Sequence, residues 1–361
     1  MENLILKSVR FNAFVIKVLS LFAVIIFSSC NGGDGIVKCE MPKSVALSGR
    51  DAKIEVMGAF DLKVVDTMLV ITTMKTTGFW SFYSLDDKEH MGDFLSKGNS
   101  DKEFLGKPIV GTQHFEKDEN GNDICYIYDF RKGGFKRFNM TKSIRENSLD
   151  IVPMEIKIPA TVFSWTMLDF DNIVISEPDE SRTFERRSLL SNNQRIEKPV
   201  FAIFEDMVTK PDGDINDIGT FMGHRPHLNR IVECGKKLNR IYLYDIDGGF
   251  SKILSVKEDV PSNVSTVIET SPELKQDCFR YLECFDDCFC VLFSGNDALK
   301  EETSPQNSKI FIFDWEGTPI ISINLDRAVT SFSFDWPRKK LYTLNFRTEE
   351  ISEFDISQLD I

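Results

Sequence analysis

The sequence predicts an all-β fold: a six-bladed β-propeller, closed by an N-terminal strand that completes the last blade. Three observations lead to this prediction. Thirty phenylalanines and few long Ala- or Leu-rich periodic segments favour strands over helices. An apolar strand that ends in an Asp or Gly turn recurs along the chain. The last repeat is one strand short of the four that make a propeller blade.

The repeat is an apolar strand that leads into a tight turn. It occurs at residues 126–130, 242–246 and 311–315, each followed by glycine. The continuous apolar strand indicates burial on both faces, and Asp and Gly supply the turn through side-chain bonding and positive φ. Weaker copies lie at residues 82–85, which lack the aspartate, and at 354–356. Five copies are therefore visible.

The spacing of the turns gives the number of repeats. With corners at 84, 129, 245, 314 and 355, the interval of 116 residues is about twice the others. A sixth, degenerate copy is expected near residues 183–185, after a strand at 172–176. Six units at a period near that of WD40 or kelch repeats predict a propeller, although neither signature is present. A β-sandwich with similar hairpins is the alternative.

The last unit predicts how the ring closes. Residues 328–335, 340–346 and 350–356 give three strands, which would leave an open sheet edge that closed folds avoid. The segment 53–57, just before the first unit, is expected to supply the fourth strand. We expect residues 51–361 to form one domain, since large all-β domains often exceed the average domain length.

Residues 1–29 are typical of a secretory signal. Three basic residues precede an apolar run at 18–27, which is about ten residues long, whereas a bilayer-spanning helix needs roughly twenty. Two serines before Cys30 resemble the bacterial lipobox, although Phe27 stands where Leu is usual. Lipidation of Cys30 is expected to anchor the protein, with residues 30–50 as lipidated cysteine and flexible tether. An ordinary signal peptide with an incidental Cys30 is the alternative.

The charge of the chain restricts its partners. The net charge is −13, and it becomes −15 without residues 1–29, which carry three basic residues and Glu2. An acidic surface repels phosphate backbones, so nucleic acid is not an expected partner. The expected partners are the membrane, through the lipid, and a protein, peptide or glycan ligand at the bacterial outer membrane or in the cell envelope.

Four cysteines and two acidic runs contain possible metal ligands, but their spacing does not fit a metal site. Cys278, Cys284, Cys288 and Cys290 match no zinc spacing, and the last two alternate along an apolar strand, so buried strand cysteines are expected. The acidic runs 118–123 and 212–217 lack the Gly and Glu positions of an EF-hand, so loop tips are expected. No metal site and no cofactor are predicted.

The best candidates for a ligand site are His224, Arg225 and His227, in a loop that leads into a strand. Two histidines three residues apart beside an arginine could bind a metal or an anion at the propeller mouth. A polar loop packed against neighbouring blades is the alternative. Nucleophile-elbow, zinc-helix and phosphate-loop motifs are absent from the sequence, so no catalytic residue is predicted.

A family resemblance covers residues 94–361. Residues 311–325, 331–335, 340–342 and 350–354 are similar to the last two blades of the TolB-like six-bladed propeller lipoproteins of Bacteroidetes. Residues 94–99, with Glu103 and Phe104, resemble the segment that often follows their first blade. The resemblance implies a fold and not a reaction. We therefore expect a non-catalytic binding or scaffolding lipoprotein, with a hydrolase or lyase acting on an extracellular polymer as the alternative.

Overall fold

The computed structural model of the protein describes residues 35–156, 158–159, 161–297 and 306–359. These residues form six antiparallel blades of a β-propeller, as the sequence predicts. The compact unit that contains the blades begins at Lys38. The signal segment and Cys30 lie outside the described residues. Helices in the described part of the chain are too short or too polar to span a bilayer.

Three short strands precede the blades: β1 (Ile36–Cys39), β2 (Ser44–Leu47) and β3 (Arg50–Asp51). Blade 1 consists of β4 (Ala59–Val65), β5 (Met68–Thr73), β6 (Trp80–Ser84) and β7 (His90–Phe94). Blade 2 consists of β8 (His114–Lys117), β9 (Asp123–Asp129), β10 (Gly134–Asn139) and β11 (Ile151–Pro153). Blade 3 consists of β12 (Ser164–Met167), β13 (Asn172–Pro178), β14 (Glu185–Ser191) and β15 (Gln194–Ile196).

Blade 4 consists of β16 (Thr220–His224), β17 (Arg230–Gly235), β18 (Ile241–Asp245) and β19 (Ser251–Val256). Blade 5 consists of β20 (Gln276–Cys284), β21 (Cys288–Asp297), β22 (Lys309–Asp314) and β23 (Pro319–Leu325). Blade 6 contains β24 (Ser331–Asp335), β25 (Lys340–Asn345) and β26 (Glu350–Asp355). Two short helices, α1 (Met140–Glu146) and α2 (Val264–Glu269), begin after Asn139 and Asn263, whose side chains accept hydrogen bonds from the first turn.

Apolar clusters between successive blades hold the ring together. Each of the six clusters joins two neighbouring blades, and one of them packs blade 6 against blade 1 through Tyr342, Leu344 and Leu69. The middle strands are buried on both faces because each blade lies between two others, and all residues of β5 and β9 are buried. This double burial explains why these strands are continuous apolar runs.

The predicted sixth copy of the repeat is the hairpin between β13 and β14. Its corner aspartate is Asp179, whose Oδ1 accepts hydrogen bonds from the backbone of Thr183 and Phe184 at 2.7 and 3.0 Å. The repeat is out of phase with the blades, however. The turn follows the third strand in blades 1, 4 and 5 but the second strand in blades 2 and 3. The chain nevertheless has one such hairpin for each of its first five blades.

The short N-terminal strands extend the last blades. β2 lies parallel to β23, with Leu47 opposite Leu325, and β3 lies antiparallel to β26, with Asp51 opposite Ser352. The Cys39 carbonyl accepts a hydrogen bond of 3.0 Å from the backbone of Lys257, just after β19. This part of the chain therefore follows the outer strands of blades 4, 5 and 6 in turn.

Two sequence predictions about this region need correction. Residues 36–51 contain the three strands β1, β2 and β3, whereas the sequence predicted a flexible tether over 30–50. Cys39 and Leu47 are buried, and burial of apolar side chains keeps this segment in place. The segment 53–57, predicted to be the closing strand, is not a strand. The Ala52 amide still donates to the Ile351 carbonyl at 3.0 Å, and Lys53 then adopts a φ of +60°, a left-handed conformation that ends the extended pairing.

Six of the cysteines that the structure describes carry free thiols: Cys125, Cys234, Cys278, Cys284, Cys288 and Cys290. All of them except Cys284 are buried. Cys288 and Cys290 lie in β21, as predicted, inside apolar clusters. Burial raises the pKa of the Cys125, Cys234 and Cys278 thiols well above the ordinary value, which keeps them protonated and unreactive.

Candidate functional site

The main cavity lies where the innermost strands of the blades begin. β4, β8, β12, β16, β20 and β24 are the innermost strands, and residues at or just before their starts line a cavity of about 830 Å³. All six blades contribute, so the cavity is the mouth of the central channel. We call it the funnel. Its volume is within the range of small-molecule sites in proteins, and propellers commonly use this position.

Aromatic side chains make up much of the funnel wall. They come from all six blades, and they are Phe60, Tyr128, Phe130, Phe163, Trp165, Phe221, Tyr281 and Phe346. Phe60 and Phe346 pack with ring centroids 5.3 Å apart. Phe130 is 58% exposed and Phe346 is 39% exposed, which is unusual for rings of this size. An apolar ligand could therefore remove aromatic surface from water here.

A buried aspartate lies in the floor of the funnel. Asp61 Oδ2 accepts a hydrogen bond of 2.8 Å from the Gly111 amide, and Asp61 Oδ1 has no hydrogen-bond donor among the described residues. Burial raises the pKa of Asp61 to about 6, although the Gly111 amide and the Ser331 hydroxyl favour its charged form. The carboxyl group therefore titrates near pH 6, above the range of an exposed aspartate.

Gly111 is required for this arrangement. A Cβ at this position would lie 1.8 Å from the hydroxyl oxygen of Tyr281, whose O–H donates to the Leu62 carbonyl at 3.1 Å. The absence of a side chain lets the Gly111 amide reach Asp61 while the Tyr281 ring occupies the space beside it. Three blades therefore meet at the floor of the funnel.

Four cationic side chains line the funnel, against two carboxylates. The Lys107 Nζ lies 3.5 Å from the centroid of the Phe60 ring. Arg280 forms an ion pair of 2.9 Å with Asp277. Lys236 and Arg347 are the other two. The funnel is therefore richer in positive charge than the chain, whose net charge is −13.

Below the funnel, polar side chains fill the channel. Lys63, Glu283 and Ser333, from blades 1, 5 and 6, are joined by two contacts of 2.6 Å. On the other side, Thr166 Oγ1 and His224 Nδ1 share a hydrogen bond of 2.7 Å, and the His224 ring stacks on His114 at 5.7 Å. These contacts involve the innermost strands of all six blades and hold them in fixed relative positions.

The three residues of the predicted ligand loop have different surroundings in the structure. His224 is the last residue of β16, at the opposite end of that strand from the funnel, and burial lowers its pKa to about 4. The Arg225 Nε donates to the Asp286 carbonyl at 2.8 Å. His227 is exposed and has a φ of +59°. Their role in ligand binding stays a prediction.

Metal sites are not indicated in the part of the chain that the structure describes, where no three His, Cys, Asp or Glu side chains are grouped suitably. The acidic run at 118–123 is a hairpin tip, as predicted: Asp118 Oδ1 accepts from the backbone of Asn120 and Asn122. Asp214, in the other run, accepts from the Asn216 backbone at the start of a 3-10 turn.

The fold and the cavity define a six-bladed β-propeller with a central funnel. No protein-family model and no curated protein matches the chain. Among solved structures, Raptor of Chaetomium thermophilum aligns with 87% of this chain and 29% of its own length, at a TM-score of 0.50 and 10% identity. This chain thus spans less than a third of Raptor, and the likeness is one of fold alone.

Two other solved structures align at TM-scores below 0.50. A Bacteroides fragilis protein inferred to be exported aligns with 89% of this chain and 98% of its own, at a TM-score of 0.49 and 12% identity. The computationally designed Ika8 protein aligns with 82% of this chain and 71% of its own, at a TM-score of 0.36 and 10% identity. Membership of the TolB-like lipoprotein family stays a prediction.

Proposed function

We propose that this protein is a membrane-anchored lipoprotein of the bacterial cell envelope that binds a ligand in the funnel without transforming it. The observation that carries the proposal is the cavity of about 830 Å³ to which all six blades contribute. Its wall is rich in partly exposed aromatic rings, and its floor holds a few polar groups at fixed positions. Binding sites for small ligands combine these two features.

The fixed positions of the residues in the funnel wall favour ligand binding over a purely scaffolding role. The innermost strands are held by the channel contacts below the funnel, so its wall is already organised before a ligand arrives. A preorganised site loses little conformational entropy on binding. A protein or peptide partner would insert one side chain or chain end into the funnel, and a glycan would insert one or two sugar rings.

The proposal can be tested with N-phenyl-1-naphthylamine, a neutral aromatic dye that fluoresces in apolar sites. Trp165 lines the funnel, so the bound dye should quench its emission, and Trp165→Phe should remove that part of the signal. Phe221→Ala should weaken dye binding several-fold by removing a lining ring. Phe170, which is exposed outside the funnel, provides the control Phe170→Ala. Equal binding by both alanine variants would contradict the proposal.

The anchoring part of the proposal rests on the lipobox-like sequence before Cys30. Metabolic labelling with a palmitate analogue should mark the wild-type protein and leave Cys30→Ser unmarked. Membrane fractionation should then find Cys30→Ser in the soluble fraction. An unlabelled wild-type protein would contradict lipid anchoring and would indicate secretion without an anchor.

One observation favours a second candidate, a hydrolase or lyase that acts on an extracellular polymer. A carboxyl group with a pKa of about 6 inside a cavity is suited to general acid–base catalysis, and Asp61 is such a group. A screen of glycan and peptide substrates would test this candidate. Turnover that is lost in Asp61→Asn, while dye binding is kept, would make the protein an enzyme.

A further inference from the structure

Lys236 is a cation of the funnel that has no carboxylate within hydrogen-bond distance among the described residues. Asp277 is paired with Arg280, and the charge on Asp61 acts on Lys107. The Lys236 ammonium forms no hydrogen bond or ion pair with any described residue; its nearest aromatic contact is Phe221, with the Nζ 5.2 Å from the ring centroid.

The carboxylate that acts on Lys236 is already engaged elsewhere. Glu185 is the one group whose charge opposes the effect of burial on the pKa of Lys236, which burial lowers. Glu185 Oε2, however, accepts a hydrogen bond of 2.7 Å from Ser176 and lies 3.4 Å from the Arg187 guanidinium. Lys236 therefore presents a desolvated positive charge to the funnel, and such a charge gains most from an anionic partner.

We infer that the funnel selects anionic ligands: a small molecule or chain end with one carboxylate, sulfonate or phosphate group and a flat apolar body. The acidic group would pair with Lys236, and the apolar body would lie against Phe221 and the neighbouring aromatic wall. This inference rests on the proposed function, because it assigns the ligand class of the same site. The acidic surface elsewhere on the chain disfavours anion binding outside the funnel.

Two dyes of nearly the same shape test the inference. 8-Anilinonaphthalene-1-sulfonate carries a sulfonate that N-phenyl-1-naphthylamine lacks. The full chain with Cys30→Ser, which carries no lipid, is titrated with each. We expect the anionic dye to bind about tenfold more tightly, the effect of one charged hydrogen bond. Lys236→Met should remove this preference, and Lys236→Arg should keep it.

Lys257→Met provides a matched control, because Lys257 is 71% exposed and pairs with Glu40 outside the funnel. It should leave both affinities unchanged. Equal affinity of the wild type for the two dyes, or a preference that survives in Lys236→Met, would overturn the inference while leaving the funnel as a binding site. Failure of both dyes to bind would overturn the proposed function itself.

Discussion

Arg187 and Glu233 form an ion pair of 3.1 Å that is closed to solvent, with side chains 1% and 0% exposed. The pair joins β14 of blade 3 to β17 of blade 4. The remaining acceptor sites of Glu233 are filled by the hydroxyl groups of Thr220, at 2.6 Å, and Tyr244, at 2.8 Å. Thr220 also lines the funnel, so this polar cluster fixes one part of the funnel wall.

Breaking this pair should destabilise the protein strongly. Arg187→Met leaves the carboxylates of Glu185 and Glu233 buried without their cation, and removal of one partner of a buried pair costs about 3–5 kcal/mol. Urea unfolding measures the loss. Adding Glu233→Gln should recover part of it, because one buried charge is then gone. A loss no larger than that of the surface variant Lys257→Met would contradict the prediction.

Much of the fold could be predicted because blade strands and turns obey local rules. Burial on both faces makes β9, β18 and β22 largely apolar runs, and turn chemistry places an aspartate at the end of each. The count of six was correct although the repeat is out of phase with the blades. The closing strand was predicted at residues 53–57, three residues after the start of β3 at Arg50, because the left-handed conformation of Lys53 cannot be read from its side chain.

The funnel could not be predicted, because each blade supplies only a few of its residues. Asp61, Lys236 and Tyr281 lie far apart in the sequence and belong to no motif. His224 and His227 were predicted as ligand residues because they lie close together in the sequence, yet His224 is buried at the end of β16 that is far from the funnel. A usable signal was the start of each innermost strand, where polar and aromatic residues interrupt the apolar pattern.

His224 should make stability depend on pH. Its pKa is lowered to about 4 from an ordinary value of 6.5, chiefly by burial, so it stays neutral in the folded protein. Between these values the unfolded chain binds a proton that the folded protein does not. The free energy of unfolding should therefore fall as the pH drops from 6.5 to 4, by on the order of 3 kcal/mol.

Urea unfolding at pH 7 and pH 4.5 measures this dependence. His224→Gln keeps a neutral group that can hydrogen-bond to Thr166 and does not titrate, so its stability should fall less on acidification than that of the wild type. If wild type and variant lose the same amount between the two pH values, the buried imidazole is not responsible for any part of the loss.

Asp61 should make the free energy of unfolding depend on pH in the opposite direction to His224. Burial raises its pKa to about 6 from 3.8, so between these values the folded protein holds a proton that the unfolded chain has released. Its contribution to stability falls as the pH rises through this range. Asp61→Asn should therefore gain stability relative to the wild type between pH 4 and pH 7, by on the order of 3 kcal/mol. A difference that is constant over this range would argue against a buried titrating carboxyl group.

Gly111→Ala should damage the funnel floor. The new methyl group would overlap the Tyr281 hydroxyl, so the ring must move and lose its hydrogen bond to Leu62. Overpacking of this kind costs about 1–3 kcal/mol. Gly134→Ala is the matched control, because nothing lies within 4 Å of its Cβ and its φ is not positive. Equal melting temperatures for the two variants would contradict the geometry of the floor.

Leu47 tests whether the N-terminal strands are part of the stable fold. Leu47 is 4% exposed in β2 and belongs to the apolar cluster between blades 5 and 6. Truncation of a buried leucine costs about 2–5 kcal/mol, so Leu47→Ala should lower the urea midpoint markedly. Ala46→Ser, at the exposed neighbouring position, should leave the midpoint nearly unchanged.

Hydrogen exchange tests whether Leu47→Ala destabilises the protein by releasing β2 from β23. The Ser322 amide donates to the Lys43 carbonyl at 2.9 Å, a bond that exists only while β2 lies along β23. In Leu47→Ala this amide should exchange faster, because β2 then detaches more often than the ring unfolds. If the Ser322 amide exchanges at the wild-type rate while the urea midpoint falls, Leu47 stabilises the blade interface without holding the strand.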